Sequence, residues 1–471
     1  MGVLPDGFGL ALDRSVLRFG DGTVLAGGHP GRVITLTPDG AAALDALVDG
    51  GRADEATRAL AGRLVAAGMA HPRPGAPAPG GGSPGVTVVV PVRDRPDALD
   101  ACLSSVGTAA PVVVVDDASR DPRAVGAVCA AHGARLVRRP VNGGPGAARN
   151  DGIDGVDTDL VAFVDSDCTV TPGWLEGLTW LFADPDIGAV APRIRAAPPA
   201  DGPGRRALDR FNRARSPLDL GPDGGEVGPL RSVRYVPTAA LVVRREAVAA
   251  VGGFDRALRV GEDVDLVWRL VDAGWRVRYE PSVSVGHAEP DRWKELLARR
   301  LRYGTSAAPL SVRHPGHLAP IEVRPLPGVA AAAALSGRPR LAAAAVAASA
   351  LLLARTVRPL GIPARQAWSW SAQGAGWTVV GLGRAATTVA APGLAALAAR
   401  GGRSTRAALA LVLVPPVVEW VRTRPDLDLP RWVVASVADD VAYGVGVWIG
   451  CLRERSFGPV LPAPAARTAQ S

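Results

Sequence analysis

Short apolar runs alternate with helical patterns through the middle of the chain. The apolar runs are Val86–Val90, Val112–Val115 and Leu160–Val164. Helical patterns lie between and after the first two runs, at Ala98–Val106 and Ala124–His132. Strands that alternate with helices at this spacing predict an α/β fold with a parallel sheet, and such sheets bind ligands at the carboxyl ends of their strands.

The N-terminal residues 1–72 show the pattern of a smaller unit. Short strands are expected at Ser15–Phe19 and Val33–Leu36. Thr37-Pro38-Asp39 predicts the start of a helix, because Pro suits the first helical position behind a Thr cap. A second helix is expected from Asp54 to Ala67. This succession resembles a small winged-helix domain, and the Pro- and Gly-rich residues 73–85 after it predict a linker.

The C-terminal residues 321–471 are rich in Ala, Leu, Val and Gly and form long apolar stretches. A spanning helix needs about 20 apolar residues. Several stretches are shorter than that or contain a charged residue. We expect helices that are embedded in a membrane or lie on it, with an Ala-rich soluble helical domain as the alternative. The stretches are Val329–Leu335 with Leu341–Ala354, Gly374–Ala399, Ala407–Val418 and Trp432–Leu452.

Composition indicates a globular protein of several domains. The chain has 471 residues, 48% hydrophobic and 21% charged, which is enough for about three domains at roughly 150 residues each. The net charge of +8 comes almost wholly from arginine. The N-terminal unit has no basic stripe, because acidic residues offset its arginines, so we expect no nucleic-acid partner. The scattered cysteines, with no CxxC pair, indicate reduced buried thiols and a cytosolic catalytic region.

Acidic residues follow three of the predicted strands. Asp94 lies in the loop that begins at Pro91 and Arg93, Asp117 follows the second strand, and Asp165-Ser166-Asp167 follows the third. A single Asp at such a place is often a turn or helix-cap residue. Three acidic loops together predict recognition of hydroxyl groups and a divalent cation, Mn²⁺ or Mg²⁺, that can bridge a diphosphate.

The glycine-rich segment Asn142–Asn150 has two interpretations. It can cradle a phosphate, or it can be a turn that leads into a helix and aims Arg149 at a phosphate or at the nucleobase loop. Its spacing is not GxGxxG, and the chain contains no GxxxxGK[ST]. A dinucleotide site and P-loop phosphoryl transfer are therefore not expected.

Six motifs in order resemble a family-2 glycosyltransferase of the GT-A fold over about residues 86–310. They are PVRDRPDALDACLSSV, VVVVDDAS, NGGPGAARN, VAFVDSDCTVTPGWL, VGGFDRAL and GEDVDLVWRL. The resemblance implies an inverting transfer from a nucleotide-sugar, in which a carboxylate takes the proton of the acceptor hydroxyl and a metal neutralises the departing diphosphate. A nucleotidyltransferase does not share the Gly-Glu-Asp element that follows the Gly-Gly-Phe-Asp loop.

The resemblance also implies roles for individual residues. Asp263 is the catalytic base, and Glu262 is a further catalytic residue. Asp165 and Asp167 of the DxD motif are metal residues, with Asp167 the direct ligand. His287 is either a third metal ligand or a histidine hydrogen-bonded near the cleft. Nucleotide-sugar contacts are expected from Pro91, Arg93, Asp94, Asp117, Arg149, Ser166 and Arg302.

Arg299-Arg300-Leu301-Arg302-Tyr303 aligns with the QxxRW motif of processive β-glycan synthases, with Arg in place of Gln and Tyr in place of Trp. Tyr303 is then expected to stack on an acceptor sugar, and Arg302 to meet the diphosphate. The two departures put processivity in doubt. A basic amphipathic helix with a solvated face is the alternative for this segment.

The N-terminal unit resembles the peptide-recognition domains of ribosomally made, modified peptides, and the whole chain resembles the mycofactocin-system glycosyltransferases of actinobacteria. This resemblance implies a β-1,4-linked glucose chain built from UDP-glucose on a peptide-derived cofactor precursor. It also implies a peptide partner for the N-terminal domain, and an enzyme at the cell membrane with its catalytic domain in the cytoplasm. The alternative is a membrane glycosyltransferase that makes a cell-envelope polysaccharide or glycolipid.

Overall fold

The structure is a computed structural model that describes residues 4–75, 85–198, 206–229, 231–318 and 324–461. The chain divides into two units, Met1–Pro203 with Arg215–Glu289, and Gly204–Ala214 with Pro290–Ser471. This division differs from the predicted borders, because residues 1–72 share a unit with the sheet, and residues 290–320 group with the C-terminal helices. Most of the predicted linker, residues 76–84, lies outside the described residues.

The N-terminal part of the first unit has two small antiparallel sheets and two helices. Its elements are β1 (Gly9–Leu12), β2 (Leu17–Phe19), β3 (Val24–Gly27), β4 (Arg32–Thr35), α1 (Pro38–Val48), α2 (Arg58–Ala66) and β5 (Ala70–Arg73). β1 pairs with β5, and β2, β3 and β4 form the second sheet. The Thr37 side chain accepts a hydrogen bond from the Gly40 backbone N–H, which confirms the predicted start of α1. The winged-helix identity of this part stays a prediction.

The main sheet follows in the chain. Its strands are β6 (Val86–Val92), β7 (Val112–Asp116), β8 (Arg135–Arg138), β9 (Leu160–Val164), β10 (Cys168–Thr169), β11 (Ile187–Ala196), β12 (Gly225–Glu226), β13 (Ala240–Arg244) and β14 (Arg276–His287). The helices of this region are α3 (Pro96–Val106), α4 (Pro122–Ala131), α5 (Pro145–Ile153), α6 (Trp174–Thr179), α7 (Ala207–Arg215), α8 (Arg245–Ala250) and α9 (Glu262–Asp272). Within the described residues the strand order is β10-β14-β11-β13-β9-β6-β7-β8, with β12 on β14.

The prediction of a parallel sheet is confirmed for one half and wrong for the other. β9, β6, β7 and β8 are parallel neighbours. β13 is antiparallel to β9, with Ala240 opposite Val164, because the chain enters β13 at the carboxyl end of β9. β11 is antiparallel to β13 and parallel to β14. The fold is therefore a mixed α/β sheet in which the predicted acidic loops still meet at the carboxyl ends of β6, β7 and β9.

The glycine-rich segment is a turn that leads into α5. Gly144 precedes the helix at a φ of +88°, which favours glycine, and Pro145 occupies the first helical position. A Cβ on Gly152 would overlap the Val89 side chain of β6. Glycine at position 152 therefore lets α5 lie directly against the sheet.

The second unit is helical. Besides α7, it contains α10 (Trp293–Thr305), α11 (Ala307–Arg313), α12 (Pro325–Leu335), α13 (Pro339–Val357), α14 (Ala364–Thr388), α15 (Ala391–Ala399), α16 (Gly402–Thr423) and α17 (Leu429–Glu454). Among the described residues, three helical stretches are long and apolar enough to cross a membrane, Pro339–Leu360, Gly402–Thr423 and Leu429–Glu454. A fourth span results if Ala364–Thr388 and Gly393–Ala399, which meet at an angle of 101°, act as one.

α10 packs closely along α17 through glycines. A Cβ on Gly304 would overlap the Tyr443 carbonyl oxygen, and a Cβ on Gly446 would overlap the Leu301 carbonyl oxygen. Asp439 of α17 forms an ion pair with Arg300 of α10, with 2.7 Å between Oδ1 and Nε. A charge in an apolar helix is costly unless it is paired, so this partner explains how an apolar stretch tolerates an acid.

We expect Gly446→Ala to destabilise the helical unit, because the new methyl group forces α10 and α17 apart. Overpacking of this kind costs about 1–3 kcal/mol. The matched control is Gly376→Ala on α14, where a Cβ has nothing within 4 Å and alanine favours the helix. Thermal unfolding of the full chain in detergent measures both variants. Equal melting temperatures would contradict the packing described here.

Candidate active site

Asp94 and Asp117 order the loops that follow β6 and β7. Asp94 Oδ1 accepts a hydrogen bond from the Arg120 backbone N–H at 2.7 Å, and the Asp94 N–H donates to Ser119 Oγ at 2.9 Å. The carboxylate of Asp117, almost fully buried, accepts from the backbone N–H groups of Gly143 and Gly144, both at 2.8 Å. The two aspartates therefore join the loops after β6, β7 and β8 into one rim at the carboxyl end of the sheet.

The DxD motif lies in the next loop. Asp165 follows β9 directly, and its backbone N–H donates to the Ala239 carbonyl at 2.9 Å. Ser166 is buried. The Asp167 carbonyl accepts from the Ala288 N–H at 2.9 Å, just beyond the end of β14. The motif is thus held between β9 and the strand that carries His287.

Arg149 joins the DxD loop to α9. Its side chain is only 3% exposed, and its guanidinium contacts Asp165 Oδ1 at 2.6 Å and Glu262 Oε1 at 3.0 Å. The guanidinium also lies 5.5 Å from the centre of the Phe254 ring, within range of a cation–π contact. Burial acts to lower the pKa of Arg149, but the two carboxylates raise it, so the side chain remains a cation.

The turn before α9 is held in place from two sides. Asn150 makes a pair of hydrogen bonds with the Phe254 backbone, both at 2.8 Å. Arg269 of α9 donates to the carbonyls of Val251 and Gly253 at 2.6 and 2.8 Å. Hydrogen bonds therefore tie α5, this turn and α9 together around the Arg149 ion pairs.

Glu262 and Asp263 begin α9, behind Gly261 in the left-handed region. Burial, together with the neighbouring Asp263 charge, raises the pKa of Glu262 to about 7. Desolvation likewise raises the pKa of Asp263 above its usual value. A carboxylate with a raised pKa is a better proton acceptor near neutral pH, which is what a general base requires.

The donor set at Asp167 and His287 suits a divalent cation. Asp167 Oδ1 and His287 Nε2 lie 3.7 Å apart, too far for a strong hydrogen bond but close enough for one ion at about 2.1 Å from each. Carboxylate and imidazole together suit Mn²⁺. Asp165 is engaged by Arg149, and Arg95 makes an ion pair with Asp167. Arg95 pairs with Asp167 through Oδ2, so Oδ1 is the Asp167 oxygen that faces His287 Nε2 and fits a metal.

The remaining predicted residues stay predictions. Pro91 is half-buried at the end of β6, and Arg93 lies beside Asp94, with 3.8 Å between Nε and Oδ2. Arg302 is exposed on α10, and Tyr303 is half-buried on the same helix in the second unit.

Sequence reasoning gave no role to Arg95, Asn150, Phe254 or Glu289, which all contact predicted site residues in the structure. Each of them had a signal. Asn150 stands next to Arg149 in the glycine-rich motif, and Glu289 stands two residues after His287, the spacing at which side chains of an extended segment share a side. Arg95 likewise stands next to Asp94, and Phe254 lies within the VGGFDRAL motif.

Residues 87–243 match the family model described as glycosyl transferase family 2. The match runs from β6 to β13, so this part of the chain is a family-2 glycosyltransferase domain. Over 98% of both chains, the protein is 39% identical to the pre-mycofactocin glycosyltransferase of Mycobacterium tuberculosis. The chain belongs to the pre-mycofactocin glycosyltransferase family.

Other similarities are more distant. The N-acetylglucosaminyltransferase of Rhizobium meliloti is 29% identical over 53% of this chain and 60% of its own length. Among solved structures, the mannosyltransferase PcManGT from Pyrobaculum calidifontis, in complex with GDP-Man and Mn²⁺, aligns with a TM-score of 0.37 at 23% identity, over 62% of this chain and 86% of that chain. This degree of structural similarity carries no inference about ligands.

We expect Arg149→Met to destabilise the first unit, because Asp165 and Glu262 lose their common cation. Removing one partner of a buried ion pair costs about 3–5 kcal/mol. A second substitution, Glu262→Gln, should recover part of the loss, since a neutral amide needs no counter-ion. Arg123→Met, at an exposed position on α4, is the matched control. Thermal unfolding measures all four proteins, and an Arg149→Met variant as stable as wild type would contradict the role of this ion pair.

Proposed function

We propose that the protein transfers glucose from UDP-glucose to the peptide-derived mycofactocin precursor and builds a β-1,4-glucan chain with inversion at the sugar. The 39% identity to pre-mycofactocin glycosyltransferases, over 98% of both chains, supports the choice of acceptor. The observation that carries the proposal is the buried Arg149 between Asp165 and Glu262. Through it, the loop that would hold the donor and the helix that would carry the base lie at one place.

The donor is bound along the rim of acidic loops. Asp94 and Asp117 recognise the nucleoside, with Pro91 and Arg93 beside them and Ser166 below. These contacts rest on resemblance and on the meeting of the loops after β6, β7 and β9. Arg149 acts through Asp165 and Glu262, since its side chain is buried between them. Arg302 is assigned to the diphosphate on resemblance alone.

Asp263 is the base. Its carboxylate takes the proton of the acceptor hydroxyl, the hydroxyl oxygen forms a bond to the anomeric carbon, and the bond from that carbon to the diphosphate breaks. The electron pair of the broken bond leaves with the nucleoside diphosphate. The raised pKa of Asp263 supports this role, because the carboxylate binds the proton more readily than an ordinary aspartate does.

Asp167 and His287 would hold Mn²⁺ or Mg²⁺, with Asp165 completing the DxD motif. A bound cation supplies positive charge that stabilises the departing diphosphate. The chain's own contribution is to present one carboxylate oxygen and one imidazole nitrogen 3.7 Å apart.

Tyr303 is proposed to stack on the acceptor sugar, on the same resemblance that assigns Arg302.

The N-terminal domain is proposed to bind a peptide partner. Its contacts with residues 180 and 231 of the same unit support a role in presenting the acceptor. Arg231 donates to the carbonyls of His29 and Ala66 at 3.2 and 2.6 Å, and the Phe8 and Trp180 rings are 5.4 Å apart. A partner held by this domain would therefore stay at a fixed distance from the sheet.

The enzyme is proposed to reside in the cell membrane with its catalytic domain in the cytoplasm. Three long apolar helices among the described residues support the membrane part. Carbonate extraction, which leaves proteins with spanning helices in the membrane pellet, is the measurement that separates this location from a soluble helical domain.

The deciding experiment is a mass-spectrometric assay of the purified full chain with Mn²⁺ and UDP-glucose. The acceptor is the peptide-derived mycofactocin precursor in one arm and a membrane lipid extract in the other. We expect a ladder of hexose additions on the precursor. Labelling of lipid alone would retain the glycosyltransferase site but assign the chain to the alternative, synthesis of an envelope polysaccharide or glycolipid.

Asp263→Asn tests the base. We expect kcat to fall by about 10²–10⁴-fold, the usual contribution of general base catalysis, because asparagine cannot take the proton. UDP binding, measured by calorimetry, should survive. Asp157→Asn, at an exposed position, is the matched control. Loss of both transfer and UDP binding in the Asp263 variant would assign this residue a structural role instead.

A further inference from the structure

Glu289 is a buried acid beside the proposed metal ligand His287. Its side chain is only 5% exposed, and that of His287 is 7% exposed. Glu289 Oε1 accepts a hydrogen bond from Ser216 Oγ at 2.5 Å and lies 3.5 Å from His287 Nδ1. Burying a carboxylate costs free energy unless the group has partners, so the contacts of Glu289 indicate its role.

The two nitrogens of the His287 ring face different carboxylates. Nδ1 faces Glu289, while Nε2 faces Asp167 Oδ1 at 3.7 Å. The ring therefore lies between an acid from the DxD motif and an acid that the catalytic roles above do not use.

The backbone of His287 is already fixed on both sides. His287 is opposite Cys168 in the pairing of β14 with β10, and its carbonyl accepts from the Ala197 N–H at 2.8 Å. The Ala288 N–H donates to the Asp167 carbonyl at 2.9 Å. These contacts fix the main chain, and a carboxylate on the Nδ1 side bears on the orientation of the imidazole.

We propose that Glu289, held by Ser216, is a positioning residue that orients His287 so that Nε2 is presented to a divalent cation at Asp167. A carboxylate that accepts a hydrogen bond from one imidazole N–H fixes the tautomer, so that the other nitrogen presents its lone pair to a metal and is more basic. The proposal requires the 3.5 Å between His287 Nδ1 and Glu289 Oε1 to shorten to hydrogen-bond length when the cation binds. This inference rests on the proposed metal site.

The test is direct Mn²⁺ binding to the full chain in the presence of UDP, measured as free Mn²⁺ by electron paramagnetic resonance. We expect Glu289→Gln to weaken binding by about 10–100-fold, the usual effect of removing the carboxylate partner of a ligand histidine. Ser216→Ala should weaken it less, because Glu289 keeps its charge and loses only its hydrogen bond. Ser216→Ala also provides the answer if Glu289→Gln fails to fold, as thermal unfolding will show.

Glu280→Gln is the matched control. Glu280 lies on β14 and accepts a hydrogen bond from the Ser282 hydroxyl at 2.7 Å, so it reproduces the glutamate–serine pair away from His287. Its loss should leave Mn²⁺ binding unchanged. An equal loss in this variant would mean that the Glu289 effect is one of general charge, and would overturn the inference.

A double variant separates the positioning role from an independent one. His287→Ala should weaken Mn²⁺ binding strongly, and adding Glu289→Gln should then have no further effect, because Glu289 acts through the ring. If the double variant instead loses Mn²⁺ affinity by the product of the two single losses, the inference is overturned. If His287→Ala binds Mn²⁺ like wild type, the proposed metal role of His287 fails. If it weakens binding while both Glu289→Gln and Ser216→Ala bind normally, only the positioning role fails.

Discussion

The arginine at position 149 is the cation around which the site is arranged. It is nearly inaccessible to water and contacts one carboxylate from the DxD loop and one from the start of α9, segments that are far apart in the chain. The buried charge of Arg149 needs carboxylate partners, and Glu262, which is itself almost fully buried, needs the cation. The guanidinium reaches this position because Gly152 lets α5 lie on the sheet, and Asn150 fastens the same helix to the turn at Phe254.

The two carboxylates of each acidic pair, Asp165 with Asp167 and Glu262 with Asp263, have different partners. In the DxD motif Asp165 binds Arg149, while Asp167 faces His287. At the start of α9 Glu262 binds Arg149, which leaves the carboxylate of Asp263 for the proposed proton transfer. One member of each pair thus contacts Arg149, while the other, Asp167 or Asp263, has the role proposed above in metal binding or proton transfer. A histidine with its own buried acid extends the same principle to the metal side, where a partner orients a ligand without touching the substrate.

Much of this could be predicted from local pattern. The strands β6, β7 and β9, the Thr-Pro start of α1 and the apolar helices follow from residue periodicity and capping, which depend on neighbours along the chain. The mixed character of the sheet could not be predicted, because the direction of β13 depends on where a long connection returns. Nor could the sequence assign α10 to the helical unit, since its packing on α17 depends on glycines about 140 residues apart.

The sequence by itself determined the class of enzyme, because six motifs stand in the order typical of family-2 glycosyltransferases. Only the tertiary structure decided which acid does what. Glu262 and Asp263 are adjacent in the sequence and carry the same functional group, so the sequence does not distinguish their roles. Burial raises the pKa of both, but Glu262 is the one whose carboxylate contacts Arg149, at 3.0 Å, because the segments around the two carboxylates meet only on folding.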